Sequence, residues 1–309
     1  ILQAGFKPVF VDVDSRSLNI DPSKIEEEIS ERTIAIMPVH LMGKPADMDP
    51  INQIAKRYKL LVVEDAAEAH GAEYKGRKAG SLADMGAFST YVAHIISTIE
   101  GGIVTTDNPE YAEILRSLRS HGRSCTCKNC VMNAGETYCQ KRFANDNIED
   151  MRFVFKRIGF SSKMNEIEAA IGLGNMQDFD RILKIRHDNL LNGIEIIRGF
   201  NPYIYTIDEE KHERLGPHAL PIIIGREAKF TRRELINHLS SYYIDSRTLF
   251  SSMPTQCGGF SYLGHRLGDF PNSEYVGING IHIGTHQGIT SKHLEYLHHV
   301  IDCFIRKYK

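Results

Sequence analysis

Leu60-Leu61-Val62-Val63-Glu64-Asp65 is a run of four apolar residues that ends in two acids, and reading it decides the fold. An unbroken apolar run of this length fits a strand buried on both faces, which is the mark of a parallel sheet. Immediately upstream, Asp47-Met48-Asp49 caps a helix that runs through Tyr58. Before that, Thr33 to Val39 reads as a strand, and Ile20-Asp21-Pro22 opens a helix with Asp21 as N-cap and Pro22 at its first position. Pro8 to Val13 reads as a further β-branched strand. Strand, helix, strand, helix, strand requires crossovers, so the expected class is α/β with a largely parallel sheet, its ligands at the strand ends.

Outward in the other direction, Gly86 to Ser89 and Gly102 to Thr106 are short strands, followed by a helix from Pro109 that finishes before Gly122. Residues 124–150 lose periodicity and read as a long Cys-rich loop, a length that usually signals function or disorder. Met164 to Ile197 is apolar at helical spacing, as one helix or two in series. From Asn201 onward, short strands at Tyr203–Thr206 and Ala219–Ile224 mix with helices near Thr231–Ser241 and Ser291–Lys307. The expected division is a large α/β domain over 1–200 and a small C-terminal α+β domain over 201–309. Ile1 to Gly5 reads as the end of a helix whose earlier turns lie outside the chain, so the expectation is an N-terminally truncated sequence.

Composition narrows the function. The 309 residues are 42% hydrophobic and 25% charged, an ordinary globular balance. Lysine plus arginine total 37 against 39 acids, so bulk charge recruits no nucleic acid. No apolar run approaches the ~20 residues of a membrane span. A soluble, cytoplasmic protein with a small-molecule substrate is expected.

Three segments carry the chemistry: Val63-Glu64-Asp65-Ala66-Ala67-Glu68-Ala69-His70-Gly71, then Phe88-Ser89-Thr90-Tyr91-Val92-Ala93-His94, then Glu100-Gly101-Gly102. With Pro38 to Met48 upstream and Glu166 to Leu173 downstream, in that order and at those intervals, the chain resembles the DegT/DnrJ/EryC1/StrS sugar aminotransferases, which are fold-type I pyridoxal-phosphate proteins. The resemblance implies pyridoxal or pyridoxamine 5'-phosphate as cofactor. It places Asp65 opposite the pyridine nitrogen, where a carboxylate keeps the ring protonated and electron-withdrawing. It also places Glu68 near the ring hydroxyl and Ser89 on the phosphate, with Ser161 and Lys163 at further cofactor-phosphate positions. Ser161 replaces the usual asparagine there. Arg247 and His286 fall where relatives meet substrate.

At the position of the family's Schiff-base lysine stands His94, and no lysine lies between Lys78 and Lys128. Imidazole cannot hold the cofactor covalently but can move a proton near neutral pH. Lysine-to-histidine replacement resembles the nucleotide-sugar 3-dehydratases of this family. That branch implies a nucleotide-activated 4-keto-6-deoxy sugar as substrate, His94 as base, loss of the C3 hydroxyl and a role in deoxysugar and polysaccharide biosynthesis, including lipopolysaccharide. It further implies a homodimer. The alternatives are a nucleotide-sugar aminotransferase and a noncatalytic, metal-stabilised scaffold on the same fold. The family's glycine-rich phosphate cup and ring-stacking aromatic fall before Ile1.

Cys125, Cys127, Cys130 and Cys139 follow C-x-C-x2-C-x8-C, a spacing suited to zinc or an iron–sulfur cluster, or else they are reduced loop thiols. Arg123-Ser124-Cys125-Thr126-Cys127 and Cys139-Gln140-Lys141-Arg142-Phe143 resemble the CDP-sugar 3-dehydratases. There the resemblance implies a 2Fe-2S cluster and an electron-donor reductase, although Ala67 stands where that group has its upstream ligand.

Overall fold

The computed structural model of the chain describes residues 1–125, 127–128, 130–131, 135, 138–143 and 150–309. In order the elements are β1 (Ala35–Ile36), α1 (Met48–Tyr58), β2 (Leu61–Asp65), the hairpin β3 (Glu73–Tyr74) and β4 (Arg77–Lys78), β5 (Met85–Ser89), β6 (Gly102–Thr105) and α2 (Pro109–Leu118). Then come α3 (Glu166–Met176), α4 (Phe179–Arg198), β7 (Ile204–Tyr205), β8 (Glu213–Arg214), β9 (Ala219–Ile224), α5 (Arg232–Ser241), β10 (Arg247–Thr248), α6 (Met253–Gln256), α7 (Pro271–Asn279), β11 (Gly280–Gly284) and α8 (Ser291–Ile305).

The first sheet has the order β1-β2-β5-β6, with β1, β2 and β5 parallel and β6 antiparallel at the edge. Parallel strands cannot be joined by a tight turn, and α1 makes the crossover between β1 and β2. Its inward residues Met48, Ile51, Ile54 and Ala55 recur at helical spacing and pack on Ile36, Val62, Ala66 and Leu82. Lys59 closes the helix in the left-handed conformation at φ 57° and turns the chain into β2.

A second, antiparallel sheet has the order β10-β11-β9-β7. Every residue of β9 is buried, and the core around it joins Leu190, Ile194 and Ile197 of α4 to Val300, Ile301 and Phe304 of α8. The small sheet β4-β3-β8 ties the two cores together. Lys44 strengthens that tie by donating to the Asp208 carbonyl and pairing with Glu213. Beside it Gly216 N–H donates to the Gly43 carbonyl, and Gly43 sits at φ +81° where a Cβ would strike the Gly216 oxygen.

Two expectations fail near the start. Pro8 to Val13 forms no strand beyond an isolated bridge between Val13 and Ile20. β-branched residues need a neighbouring strand to fit against, and here Asp12 instead accepts from the Asn272 and Ser273 N–H groups at the start of α7. The segment after Asp21 forms two 3-10 turns, Pro22–Lys24 and Glu26–Glu28, although Asp21 does accept from Ser23 N–H. The Met164–Ile197 pattern resolves into two helices, α3 and α4. Among the described residues no helix is long and apolar enough to cross a membrane.

The strand that decides the fold is fastened by Glu64. Its carboxylate is fully buried and accepts from Gly80, Leu82 and Ala83 N–H at 2.6, 2.7 and 2.9 Å, and lies 3.0 Å from His40 Nε2. His40 Nδ1 accepts from Ala46 N–H, so the ring proton is on Nε2 and points at Glu64. Glu64→Ala strands three backbone donors and one imidazole N–H in a dry interior. The expected cost is about 3–5 kcal/mol of folding free energy in denaturant titration, and a loss below about 1 kcal/mol would show that the anchor is dispensable.

Candidate active site

Side chains alternate along a strand, so burying Glu64 on one side of β2 presents Asp65 on the other. Asp65 ends the strand with both backbone groups used: its N–H donates to Pro38 O and its C=O accepts from His40 N–H. Its Oδ1 accepts from Ala67 N–H at 3.1 Å, and Oδ2 is left for a partner outside the turn. Asp65 lies in register with Ala87 of β5, whose last residue is Ser89.

From Ser89 the chain makes a loop that holds His94 and is closed across its base. Thr90 N–H donates to Gly101 O, Thr98 N–H to Thr90 O and Val92 N–H to Ile99 O, while the buried Thr90 and Thr98 hydroxyls meet at 2.6 Å. Gly101, at φ +146°, leaves no room for a Cβ among Thr90, Thr98 and Met164. Asn175 of α3 donates to Ser97 O and braces the same loop. Held this way, His94 is half-buried with Nδ1 at 3.2 Å from Ser89 Oγ. Burial lowers its pKa, partly offset by a Tyr91 backbone hydrogen bond and the charge of Asp65.

Three further imidazoles surround it. The His218 ring lies 5.3 Å from that of His94, and His282 lies 6.5 Å beyond His218. His70, one turn past Asp65, stacks at 5.1 Å on Phe88 and has neither ring nitrogen partnered; His218 Nδ1 is likewise buried without a partner. Burial and the neighbouring imidazoles push His70 down to about 4 and His218 down to about 3, with Arg186 among the causes at His218. Arg186 itself is lowered to about 10 by burial while it donates to Pro217 O and His218 O. Glu68, facing the same space, is pushed up to about 7, by burial first and by Asp65 in addition, against a lowering hydrogen bond from Met42 N–H. Burial thus disfavours charge on these imidazoles and raises Glu68 toward neutrality.

The structure brings together Asp65, Glu68, Ser89 and His94 of the expected residues. Arg247 is exposed on β10 but pairs in register with His282, whose pKa is lowered by burial first and by Arg247 in addition, against Asp245, which connects it to the imidazole group. His286 is exposed and its Nδ1 accepts from Gly288 N–H in its own turn; its neighbour Thr285 ties that turn to Pro217 O. Ser161 is exposed in a bridge to Ser120, and Lys163 is exposed at the approach to α3.

Cys125, Cys127, Cys130 and Cys139 are free, and among the described residues no group of three or more His, Cys, Asp or Glu could hold a metal. Cys125 and Cys127 hydrogen-bond to each other, whereas Arg152 stands beside Cys130 and Cys139 and joins Arg142 on Asp150. The Arg142 and Arg152 pairs with Asp150 tie the described part of this segment together. Within 124–150, residues 126, 129, 132–134, 136–137 and 144–149 lie outside the described residues.

Sequence reading missed His218, His282 and Arg186. They come from three distant segments, and only tertiary packing brings them to the end of β2. His70 was within the motif, one residue before Gly71, and its position could have singled it out.

Residues 1–303 match the family model described as the DegT/DnrJ/EryC1/StrS aminotransferase family. The chain is 33% identical over 312 residues to a dTDP-4-dehydro-2,6-dideoxy-D-glucose 3-dehydratase of Saccharopolyspora spinosa, covering 99% of this chain and 66% of that protein. It is 34% identical to a GDP-perosamine synthase of Caulobacter vibrioides, covering 96% and 72%. Among solved structures it resembles a mutant GDP-4-keto-6-deoxymannose-3-dehydratase with bound GDP-perosamine, at TM-score 0.83 and 27% identity, covering 96% of this chain and 75% of that one. The chain thus spans about two thirds to three quarters of the length of these proteins.

Because His70 is held unprotonated down to about 4 whereas the unfolded imidazole takes a proton near its usual value, acid costs stability between those two points. Stability from this group is complete above pH ~6.5 and is lost as pH falls toward 4. Glu68 acts in the opposite sense, its contribution being lost as pH rises through about 7. His70→Phe should flatten the pH dependence of unfolding free energy between pH 6 and 4 by about 1.4 kcal/mol per pH unit. Identical slopes for the two proteins would show that His70 is solvated.

Proposed function

The chain belongs to the DegT/DnrJ/EryC1/StrS aminotransferase family, and from that premise we propose that it is a pyridoxamine-phosphate-dependent nucleotide-sugar 3-dehydratase acting on a 4-keto-6-deoxy sugar. One observation carries this reading: His94 occupies the loop position that resemblance gives to the Schiff-base lysine, braced by Ser89 and in the field of Asp65.

The residues present suit the cofactor. Asp65 offers a carboxylate at a strand end, Ser89 a hydroxyl, and His70 and His218 three buried ring nitrogens without protein partners. When bound, pyridoxamine phosphate supplies an electron-withdrawing ring that stabilises negative charge beside its amine-bearing carbon. Asp65 keeps the ring nitrogen protonated, since an adjacent negative charge favours the cationic form. Ser89 fixes the His94 ring through Nδ1, which leaves Nε2 to take a proton and then return it to the departing C3 hydroxyl. Burial keeps His94 in its basic form at neutral pH, as a base requires. No step is assigned to the Cys125–Cys139 segment.

The exposed apolar residues support a homodimer. Ile103 and Val104 on edge strand β6 are 50% and 52% exposed, Ile167 and Leu173 on α3 are 74% and 71%, and Phe153, Phe155, Ile158 and Phe160 stand exposed between α2 and α3. So much uncovered apolar surface marks an interaction face, and a second copy of the chain is the occupant this reading takes. Light scattering after gel filtration should give twice the chain mass, and Ile167→Asp with Leu173→Asp should return it to one. A monomeric parent chain would refute the dimer.

Product analysis tests the reaction. With pyridoxamine phosphate and a 4-keto-6-deoxy nucleotide sugar, mass spectrometry should find a product that has lost the C3 oxygen, and His94→Asn should slow its formation by about 100-fold or more. The relationship to a perosamine synthase gives the alternative outcome. A dominant amino sugar, which gains a nitrogen, would replace the dehydratase reading with transamination.

A further inference from the structure

An imidazole that cannot bond a cofactor covalently is placed by protein contacts alone. The two hydrogen-bonded holds on His94 lie on either side of one residue: ring Nδ1 is 3.2 Å from Ser89 Oγ, and the backbone N–H donates to Tyr91 O at 2.9 Å. Tyr91 N–H also donates to Ser89 Oγ, at 3.2 Å. Thr90, between the two holds, is the point from which His94 hangs, and it is fully buried.

Thr90 is in turn fastened to Thr98, which is also buried. Thr98 N–H donates to Thr90 O at 2.8 Å, and the two hydroxyl oxygens lie 2.6 Å apart. Each hydroxyl has a single proton to give. Thr98 Oγ1 lies 2.7 Å from Glu100 O, a carbonyl that can only accept, so the Thr98 proton goes there and the Thr90 hydroxyl donates to Thr98 Oγ1. The competing bond from Thr98 Oγ1 to Thr90 O is long, at 3.4 Å. A one-way relay from Thr90 through Thr98 to Glu100 thus closes the neck of the loop. Helix α3 backs it: a Cβ on Gly172 would come within 2.7 Å of Thr98 Cγ2, and Asn175 donates to Ser97 O at 2.9 Å.

We propose that Thr98 is a positioning residue for His94, its hydroxyl and the α3 residues behind it locking the neck so that the imidazole stays half-buried against Ser89. Without that hydroxyl, Thr90 loses its acceptor and Glu100 O its donor in a buried place, and the neck recovers those bonds only by opening to water. Ser89 and Tyr91 move with Thr90, and His94 moves with them. The titratable groups that face His94 are Asp65 at the end of β2, His70 in the turn after it, His218 just before β9 and Tyr91 in its own loop. None belongs to the relay, so substitution at Thr98 leaves the charges around the ring unchanged, and the titration of His94 then reads its solvation. The use of this placement in elimination rests on the function proposed above.

Histidine ring titrations followed by nuclear magnetic resonance on the full chain test this without cofactor or turnover. Thr98→Val keeps the shape and removes the hydroxyl, and the His94 midpoint should rise toward the ordinary imidazole value by about half a pH unit or more as the ring regains water. Thr98→Ser keeps the hydroxyl and should keep the parent midpoint. Asn175→Ala cuts only the tie from α3, should raise the midpoint by less, and decides the matter if Thr98→Val does not fold. In the cofactor-loaded enzyme, Thr98→Val should lower kcat about 10-fold with KM unchanged, because the base is displaced and substrate binding is not. An unmoved His94 midpoint in folded Thr98→Val or in Asn175→Ala overturns the proposal. A serine variant that shifts as the valine variant does, or a raised KM at unchanged kcat, overturns it as well. A parent chain that makes no deoxysugar, with His94 shifting as described in the variants, would reject the proposed reaction and leave this inference standing.

Discussion

Everything at the site depends on the burial of one carboxylate. Glu64 is saturated by three backbone N–H groups and the Nε2–H of His40, and this fixes both the register and the facing of β2. Because adjacent strand residues point to opposite sides, the same contact that buries Glu64 presents Asp65 to the ligand side. A slip of one residue would exchange the two acids and put the catalytic candidate into the core. The anchor also draws in residues 80–83, the approach to β5, so that β5 delivers Ser89 and the His94 loop alongside Asp65.

The second half of the chain supplies what the first sheet cannot. β9 and β11 form the buried centre of the antiparallel sheet; His218 immediately precedes β9, and His282 lies in the middle of β11, beside the imidazole group. Lys44 and Gly43, just beyond β1, hold the segment that leads into β9 at the correct height. Electrostatics then follow from crowding. Several imidazoles share a partly buried space with Arg186 and the carboxylates of Asp65 and Glu68, and burial sets the direction in which each is shifted.

Legibility in the sequence tracked how local the cause was. β2, α1, β5, β9 and α8 were readable because each has a run or period that its own residues impose. Asp65, Ser89 and His94 were readable because a motif fixes their spacing. Pro8 to Val13 misled because its β propensity finds no partner strand, while Asp12 serves as a cap for α7, some 260 residues away. His218 and Arg186 carry no local signal: a histidine before a buried strand and an arginine on an amphipathic helix look ordinary until packing joins them. The cysteine spacing suggested a ligand set, and Arg152 stands beside Cys130 and Cys139.

The central claim is that a histidine, not a lysine, does the proton chemistry at the end of β5, so the cofactor is held without a covalent bond. Borohydride treatment of the chain loaded with pyridoxal phosphate, followed by peptide mass spectrometry, addresses it most directly. The account predicts unmodified lysines throughout and a cofactor that leaves on denaturation. A pyridoxyl group on any lysine of the chain would contradict it.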